Sequence, residues 1–268
     1  MTLTDRDFAA IDRVANEMAE AARRAILPLF RSTDLAQDNK LAGGFDPVTE
    51  ADRAAERAMR AILAEKRPKD AIFGEEYGRS DGTSGLTWVL DPIDGTRAFV
   101  SGTPTWGVLI AVSDDTGPVY GMIDQPYIGE RFSGFGTNAK MVGPQGPKTL
   151  ATRKTRTLDQ AISFTTFPEV GTPKEGLAFQ KVASLTKLTR YGMDCYAYAL
   201  LASGHIDLVI EAGLQAYDIQ APIALIQAAG GIVTDWEGGP AHDGGRALAA
   251  SNAEVHALAM DVLRQSLS

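Results

Sequence analysis

The order of the hydrophobic segments constrains the fold more than any other feature of this chain. Two amphipathic helical patterns come first, and runs of strand-like residues follow them up to about Gly143. Beyond Pro147, strand-like runs alternate with helical ones. Successive strands favour a largely antiparallel sheet, whereas alternation favours strands joined through helices. We therefore expect an α/β (α+β) protein of two halves, residues 1–146 and 147–268, that share one interface.

The two helical patterns have recognisable starts and ends. Apolar residues recur at helical spacing from Thr4 to about Arg31, which predicts one long amphipathic helix. A second helix is predicted to begin at Thr49, because Thr49 and Asp52 fit a capping-box pattern, and Pro68 ends it. Read from this segment alone, Asp52 is a structural cap.

Composition and charge narrow the function classes. The chain has 268 residues, of which 44% are hydrophobic, so it can bury a substantial core. Its net charge of -8 argues against a partner that is nucleic acid or a membrane surface, and it suits a protein that holds cations. The start "MTLTDRDFAAID" lacks a signal pattern, and no apolar run approaches the roughly 20 residues of a membrane span. A soluble, cytoplasmic protein is expected.

The segment "WVLDPIDGTRAF" places two acids where a buried strand ends. Pro92 stiffens the turn, so Asp91 and Asp94 can project toward the same side while the Ile93 carbonyl is left free. Two carboxylates and a carbonyl form an all-oxygen set that suits a hard cation such as Mg²⁺. The alternative is a turn whose acids only cap the backbone and face solvent.

Gly95 and Thr96 follow at the predicted start of a helical turn. Exposed N–H groups at such a start favour an anion. Cations beside an anion pocket indicate a site for phosphate transfer or phosphate hydrolysis. No GxSxG elbow, P-loop or histidine-rich or cysteine-rich pattern offers a competing chemistry.

Two other acids can complete such a site, and each has a structural alternative. Glu75 follows the strand-like "AIF" and Gly74; it is either surface charge or a carboxylate that faces Asp91, bridges a cation and accepts a proton from water. Asp218 is either a helix N-cap with Pro222 in the first turn or a metal carboxylate at a helix start.

Asp194 and Glu211 lie at a strand-to-helix junction and at a strand end, respectively. Asp194 is either another N-cap or a receptor for a cationic substrate group, and Glu211 has the same second interpretation. Cys195, the single cysteine, is interpreted as a buried packing residue, and it excludes an internal disulfide.

Four segments, "DPVTEAD", "GEE", "WVLDPIDGTRAF" and "YDIQAPIALIQAAGGIVTDWEG", together resemble the successive signatures of the inositol monophosphatase superfamily. They stand in the order of the family, from about Phe45 to Gly238. The resemblance implies a layered α/β/α/β/α sandwich of the inositol monophosphatase/fructose-1,6-bisphosphatase type. It also implies hydrolysis of a phosphate monoester with two or three Mg²⁺ ions per site, and a homodimer.

The resemblance carries roles onto individual positions. The metal ligands it implies are Glu75, Asp91, the Ile93 carbonyl, Asp94 and Asp218. It implies that Gly95 and Thr96 bind phosphate, that Asp52 and Thr96 hold the attacking water, and that Glu75 accepts the proton of that water. The reaction implied is in-line attack by metal-activated water without a covalent enzyme intermediate.

The substrate is a finer question. The segments "GMDCYAYALLASGHIDLVIEAGLQAYD" and "DQPYIGERF" resemble the histidinol-phosphate phosphatase branch more than the inositol branch. Asp194 and Glu211 would there face the organic portion of the substrate, and Arg97 departs from the inositol pattern. The alternatives are an inositol-1-phosphate or broad sugar-phosphate phosphatase and a non-catalytic regulatory member of the fold. Lys40 is a further candidate to meet phosphate.

Overall fold

The computed structural model describes residues 3–32, 37–39 and 47–267. The predicted Lys40 contact lies outside these residues. The described helices are α1 Asp5–Ile26, α2 Glu50–Lys66, α3 Thr96–Val100, α4 Pro173–Ala183, α5 Cys195–Ala202, α6 Ala216–Ala228 and α7 Ala253–Leu267. The strands are β1 Gln37–Asn39, β2 Pro47–Thr49, β3 Ala71–Gly74, β4 Gly78–Ser80, β5 Thr87–Asp94, β6 Gly107–Asp114, β7 Gly117–Gln125, β8 Glu130–Phe135, β9 Asn138–Gly143, β10 Gly146–Thr149, β11 Ile162–Thr165, β12 Leu188–Tyr191, β13 Leu208–Leu214, β14 Ile232–Thr234 and β15 Gly245–Ala250.

Two large sheets organise the described chain. The first has eight strands in the order β10-β9-β8-β7-β6-β5-β3-β4, and all its pairs are antiparallel except β3 with β5. The second has five strands in the order β12-β11-β13-β15-β14, parallel on one side of β13 and antiparallel on the other. A small antiparallel pair, β1 with β2, completes the set.

Helices and sheets stack in five layers. Helices α1 and α2 cover the outer face of the eight-stranded sheet, α5 and α6 lie between the two sheets, and α4 and α7 cover the outer face of the five-stranded sheet. This is the α/β/α/β/α sandwich that the resemblance implied. The division of the chain into two halves at residue 146 stays a prediction.

The strands beside the middle layer are buried on both faces. In β5, Trp88 and Leu90 pack toward the outer helices, whereas Val89 packs toward the layer between the sheets. A strand that is covered on both faces consists of a continuous run of apolar residues. This is why the run "WVL" before Asp91 indicates a buried strand in the sequence. Close packing of α6 on β7 requires a glycine, because a Cβ at Gly121 would lie 2.1 Å from the carbonyl oxygen of Ala221.

The boundary of the first helix differs from the prediction. Helix α1 begins after Thr4, whose side chain closes a capping box with Asp7, but it ends at Ile26 and does not reach Arg31. Pro28 has no N–H to continue the helical hydrogen bonds, and the chain turns until Arg31 adopts a φ of 61°. The predicted capping box of Thr49 and Asp52 at the start of α2 is confirmed.

Six strands were not predicted, and each lacks the usual sequence signal; two of them, β1 and β2, have only three residues each. Strand β4 has three residues, and β9 and β10 are largely exposed at one edge of the sheet. Strand β15, "GRALAA", is buried but is built from small residues without β-branched or aromatic side chains.

No helix in the described ranges is both long enough and apolar enough to cross a membrane.

Candidate active site

A cleft of about 370 Å³ opens where the ends of β5 and β13 meet the starts of α3, α5 and α6. It brings together, from the predicted site residues, Glu75, Asp91, Ile93, Asp94, Gly95, Thr96, Arg97, Asp194, Glu211 and Asp218. Asp52 does not line it. The cleft also contains residues that the sequence analysis did not single out for chemistry, among them Thr166, Phe167 and Tyr198.

A bulge at the end of β5 aims the first two acids into the cleft. Asp91 pairs with Leu109 and Asp94 pairs with Gly107, so two residues of β5, Pro92 and Ile93, face a single residue of β6. A bulge of this kind bends a strand and redirects its side chains. The Oδ1 atom of Asp91 accepts the backbone N–H of Ile93 at 3.0 Å, which holds the bulge in place.

The sequence predicted a free Ile93 carbonyl, but in the structure this carbonyl already has a hydrogen-bond partner. It accepts a hydrogen bond from Thr96 Oγ1 at 3.1 Å, because the chain turns into α3 directly after the bulge. A carbonyl oxygen has two lone pairs, so this bond leaves one acceptor position for another partner.

Three carboxylates meet at the centre of the cleft. Asp91, Asp94 and Asp218 each offer an oxygen, and these oxygens all lie within 4.8 Å of one another. Asp218 is not the N-cap of α6, and Pro222 lies inside the helix rather than in its first turn. The helix begins earlier in the chain than expected, so Asp218 stands in the first turn and accepts the N–H of Gln215 at 2.7 Å.

The proximity of these acids is electrostatically unfavourable without a cation. Burial raises the pKa of Asp91 well above its usual range, and the charges of Glu75, Asp94 and Asp218 raise it further. Burial likewise raises the pKa of Asp94, although the N–H of Cys195, 2.6 Å from its Oδ2, opposes the shift. A divalent cation among these oxygens removes the repulsion, and an all-oxygen set suits a hard ion. The residues present therefore fit a metal of the Mg²⁺ type.

Glu75 stands beside the three central carboxylates. It follows β3 directly, and its backbone N–H donates to the carbonyl of Leu90 at 3.1 Å. Its side chain lies within hydrogen-bonding reach of Asp91, as the sequence analysis had expected if both acids belonged to one site.

Asp52 lies behind the cleft at the start of α2. It is buried, and its carboxylate accepts the N–H of Thr49 at 2.9 Å within the capping box. Burial raises the pKa of Asp52 to about 7, while the Thr49 bonds oppose the shift and the charges of Glu76 and Glu75 add to it. The structural interpretation of Asp52 therefore holds, and its charge is also coupled to that of Glu75.

Glu56, one helical turn after Asp52, was not predicted to matter. Its fully buried carboxylate accepts the N–H of Glu76 at 2.7 Å and the N–H of Tyr77 at 3.2 Å, and it pairs with Arg60 at 2.7 Å. It thereby fixes the turn between β3 and β4 that carries Glu75. Its four-residue spacing from Asp52 on one helix face was the only signal in the sequence.

Gly95 and Asp194 are in close contact. Gly95 has a φ of 86°, and a Cβ there would lie 2.7 Å from the Cγ of Asp194. Asp194 itself has a φ of 47°, accepts a hydrogen bond from Thr105 Oγ1 at 3.1 Å, and caps no backbone N–H of α5 with its side chain. Strained backbone of this kind is retained where it serves a site. The carboxylate of Asp194 thus lies beside the predicted phosphate turn.

Glu211 is a buried carboxylate on the opposite side of the cleft. It accepts hydrogen bonds from the N–H of Thr166 at 2.7 Å, from Thr166 Oγ1 at 2.9 Å and from Thr165 Oγ1 at 3.2 Å. Burial raises the pKa of Glu211 to about 7, the threonine bonds oppose the shift, and the charge of Asp194 adds to it. A nearby cation would lower the pKa of Glu211, so the charge of this carboxyl near neutral pH depends strongly on whether a cation is bound.

Arg97 and Phe167 form one rim of the cleft. The guanidinium carbon of Arg97 lies 4.8 Å from the centroid of the Phe167 ring, and the positive charge of Arg97 opposes the raised pKa of Asp194. Phe167 follows the end of β11, and Glu75 likewise follows the end of β3. A position just after a strand was therefore the sequence signal that could have identified Phe167.

Buried carboxylates that fit a hard cation, beside a glycine turn at a helix start in a five-layer sandwich, define the class of metal-dependent phosphatases. The chain matches the family model "Inositol monophosphatase family" over residues 7–268, and it belongs to that family. The family consists of metal-dependent phosphatases.

Individual relatives agree with this assignment. "Bifunctional phosphatase IMPL2, chloroplastic" of Arabidopsis thaliana is 40% identical over 240 residues, which cover 88% of this chain and 67% of that protein. A histidinol-phosphatase of Streptomyces coelicolor is 34% identical over 261 residues, 94% of this chain and 96% of that one. The structure of an inositol monophosphatase from Zymomonas mobilis matches with a TM-score of 0.85 at 37% identity and covers 98% of this chain and 100% of that one.

Proposed function

We propose that this protein is a Mg²⁺-dependent phosphatase that hydrolyses L-histidinol phosphate to L-histidinol and phosphate, a step of histidine biosynthesis. The observation that carries the proposal is the pair Asp194 and Glu211. These two acids face the cleft in addition to the three carboxylates that suit a metal. Histidinol carries an ammonium group and an imidazole, and two carboxylates in the same cleft, one of them beside the phosphate turn, match such cations.

Asp91, Asp94 and Asp218 would hold the Mg²⁺ ions, together with Glu75 and the Ile93 carbonyl. Bound Mg²⁺ supplies neutralisation of the charge on the phosphoryl group and makes water a better nucleophile. Thr96 uses one lone pair of the Ile93 carbonyl oxygen, and the second lone pair can serve as a metal ligand.

The other residues position the phosphate and the water. The N–H groups at Gly95 and Thr96 donate to phosphate oxygens at the start of α3. The Thr96 hydroxyl donates its hydrogen bond to the Ile93 carbonyl, so its oxygen is left to accept a hydrogen bond from the attacking water. Glu75 accepts the proton that this water loses, and Asp52, buried behind Glu75, keeps negative charge close to it.

A phosphatase for inositol-1-phosphate or for a range of sugar phosphates is the second candidate. The Zymomonas mobilis structure, described as an inositol monophosphatase, resembles this chain over its whole length. Inositol has no cation to offset the charges of Asp194 and Glu211, however, and burial makes the charged form of both carboxylates unfavourable. This difference favours histidinol phosphate.

A comparison of kcat/KM for histidinol phosphate, inositol-1-phosphate and fructose-1,6-bisphosphate tests the proposal. With saturating Mg²⁺ we expect histidinol phosphate to be preferred by roughly tenfold or more, the size expected from one charge-assisted contact. Activity should disappear with EDTA and return with Mg²⁺. Equal or higher kcat/KM for inositol-1-phosphate would instead support the second candidate.

A homodimer, a cytoplasmic location and the absence of nucleic-acid or membrane partners stay predictions. They rest on the resemblance and on the net charge of -8.

A further inference from the structure

Phe167 is an aromatic residue at the rim of the cleft, and the residue is 43% exposed. The preceding residue, Thr166, is anchored to Glu211. Its backbone N–H and its hydroxyl both donate to the buried carboxylate of Glu211, at 2.7 and 2.9 Å. The backbone next to Phe167 is therefore anchored to that carboxylate, and both residues line the same cleft. A preformed apolar surface next to a charged group is typical of a recognition site.

The structure already shows a planar cation on this ring. The Arg97 guanidinium lies over it at 4.8 Å from the centroid, and the same side chain is close enough to Asp194 to influence its pKa. Arg97 is exposed at the start of α3, so it can leave this position without disturbing the core. A planar cation of similar size can occupy the place between the Phe167 ring and Asp194.

We propose that Phe167 is a specificity residue whose ring stacks on the imidazole of the substrate, in the place that Arg97 takes in the unliganded protein. The inference rests on the proposed function, because it assumes a substrate with a planar nitrogen ring. Phe167 supplies the aromatic face, and Asp194 and Glu211, which line the same cleft, supply negative charge. A saturated polyol ring has neither the charge nor the flat face for this contact.

The test is Phe167→Leu, which keeps an apolar side chain of similar size and removes the aromatic face. The measurement is the ratio of kcat/KM for histidinol phosphate to kcat/KM for phosphoethanolamine, which has an ammonium group but no ring. We expect this ratio to fall roughly threefold to thirtyfold, the range of a cation–π contact, and Phe167→Tyr to restore it. Calorimetry should show weaker binding of L-histidinol to the leucine variant, independently of turnover.

Tyr191→Leu is the matched control. Tyr191 is 44% exposed on β12, but it is not among the residues that line the cleft, so the ratio should stay at the wild-type value. An unchanged ratio in Phe167→Leu, in a protein whose wild type prefers histidinol phosphate, would overturn the stacking proposal alone. A wild type that prefers inositol-1-phosphate would overturn the proposed function, and with it the imidazole as the stacking partner.

Discussion

Asp91 is the residue on which the metal site depends most. It is the most buried of the three central carboxylates, and its pKa is raised by burial and by Glu75, Asp94 and Asp218. Its charge is therefore unfavourable in the metal-free protein and favourable once a divalent ion is bound. The Asp91 carboxylate therefore favours metal binding but destabilises the metal-free fold, a trade-off that is common in active sites.

Replacing Asp91 by Asn separates these two effects. Mg²⁺-dependent phosphate release should fall by roughly a hundredfold or more, because one charged ligand is lost. In EDTA the variant should unfold at the same temperature as wild type or at a higher one, because one like charge has gone. Phosphate release over a Mg²⁺ titration and thermal unfolding in EDTA measure the two effects.

Asp261→Asn is the control, since Asp261 is exposed on α7, far from the cleft lining. It should leave both measurements unchanged. Wild-type turnover in Asp91→Asn would show that Asp91 is not a metal ligand.

Among the elements, helix α2 does more than cover the sheet. It carries Asp52 in its first turn and Glu56 one turn later, and Glu56 binds the backbone of the turn between β3 and β4. That turn carries Glu75 into the cleft. A helix on the outer layer thereby positions a residue of the site from behind the sheet.

The substitution Glu56→Gln tests this connection. Gln keeps one accepting oxygen, but its NH2 group cannot accept from a backbone N–H, so at least one of these bonds is lost and the free energy of unfolding should fall by about 1–3 kcal/mol. Displacement of Glu75 should lower kcat more than it changes KM. Urea unfolding and steady-state kinetics measure both.

Glu50→Gln on the same helix is the comparison, because Glu50 makes an exposed ion pair with Arg57, worth less than about 1 kcal/mol. If both variants lost the same stability and kept wild-type kcat, Glu56 would have no role in positioning Glu75.

At the scale of the whole molecule, the cleft gathers residues from distant parts of the chain. Glu75 and Asp91 come from the eight-stranded sheet, Glu211 from the five-stranded sheet, and Asp218 from the helical layer between them. The buried acids of the cleft therefore affect the stability of the entire fold, and this effect depends on pH.

Glu211 gives the clearest expected pH dependence. Its pKa is about 7 in the folded protein against roughly 4.3 in an unfolded chain, so the folded state favours its protonated form. Its contribution to stability is present below about pH 4 and is lost as the pH rises through about 7, a change on the order of 3 kcal/mol. In EDTA, Glu211→Gln should therefore lose less stability than wild type between pH 5 and 8.

Urea unfolding across this pH range measures the difference. Glu65→Gln, an exposed substitution on α2, should follow the wild-type profile. If the Glu211→Gln profile were as steep as that of wild type, the titration of Glu211 would not be its cause.

The sequence by itself determined the types and order of most elements, the order of the motifs and most of the residues that meet in the cleft, whereas the five-layer arrangement was implied only by the family resemblance. It could do so because long amphipathic helices, strands buried on both faces and the run "LDPIDGT" each leave a local pattern. Strand β15 left none, since its small residues are recognisable as a strand only once its neighbours cover them.

Only the tertiary structure decided how these residues act on one another. It showed that the Ile93 carbonyl accepts a hydrogen bond from Thr96, that Asp218 stands inside the first turn of α6, and that Phe167 lines the same cleft as Glu211. Such facts depend on burial and on distances between residues far apart in the chain. Local sequence patterns record the preference of each segment for helix or strand, but not which side chains meet when the layers pack.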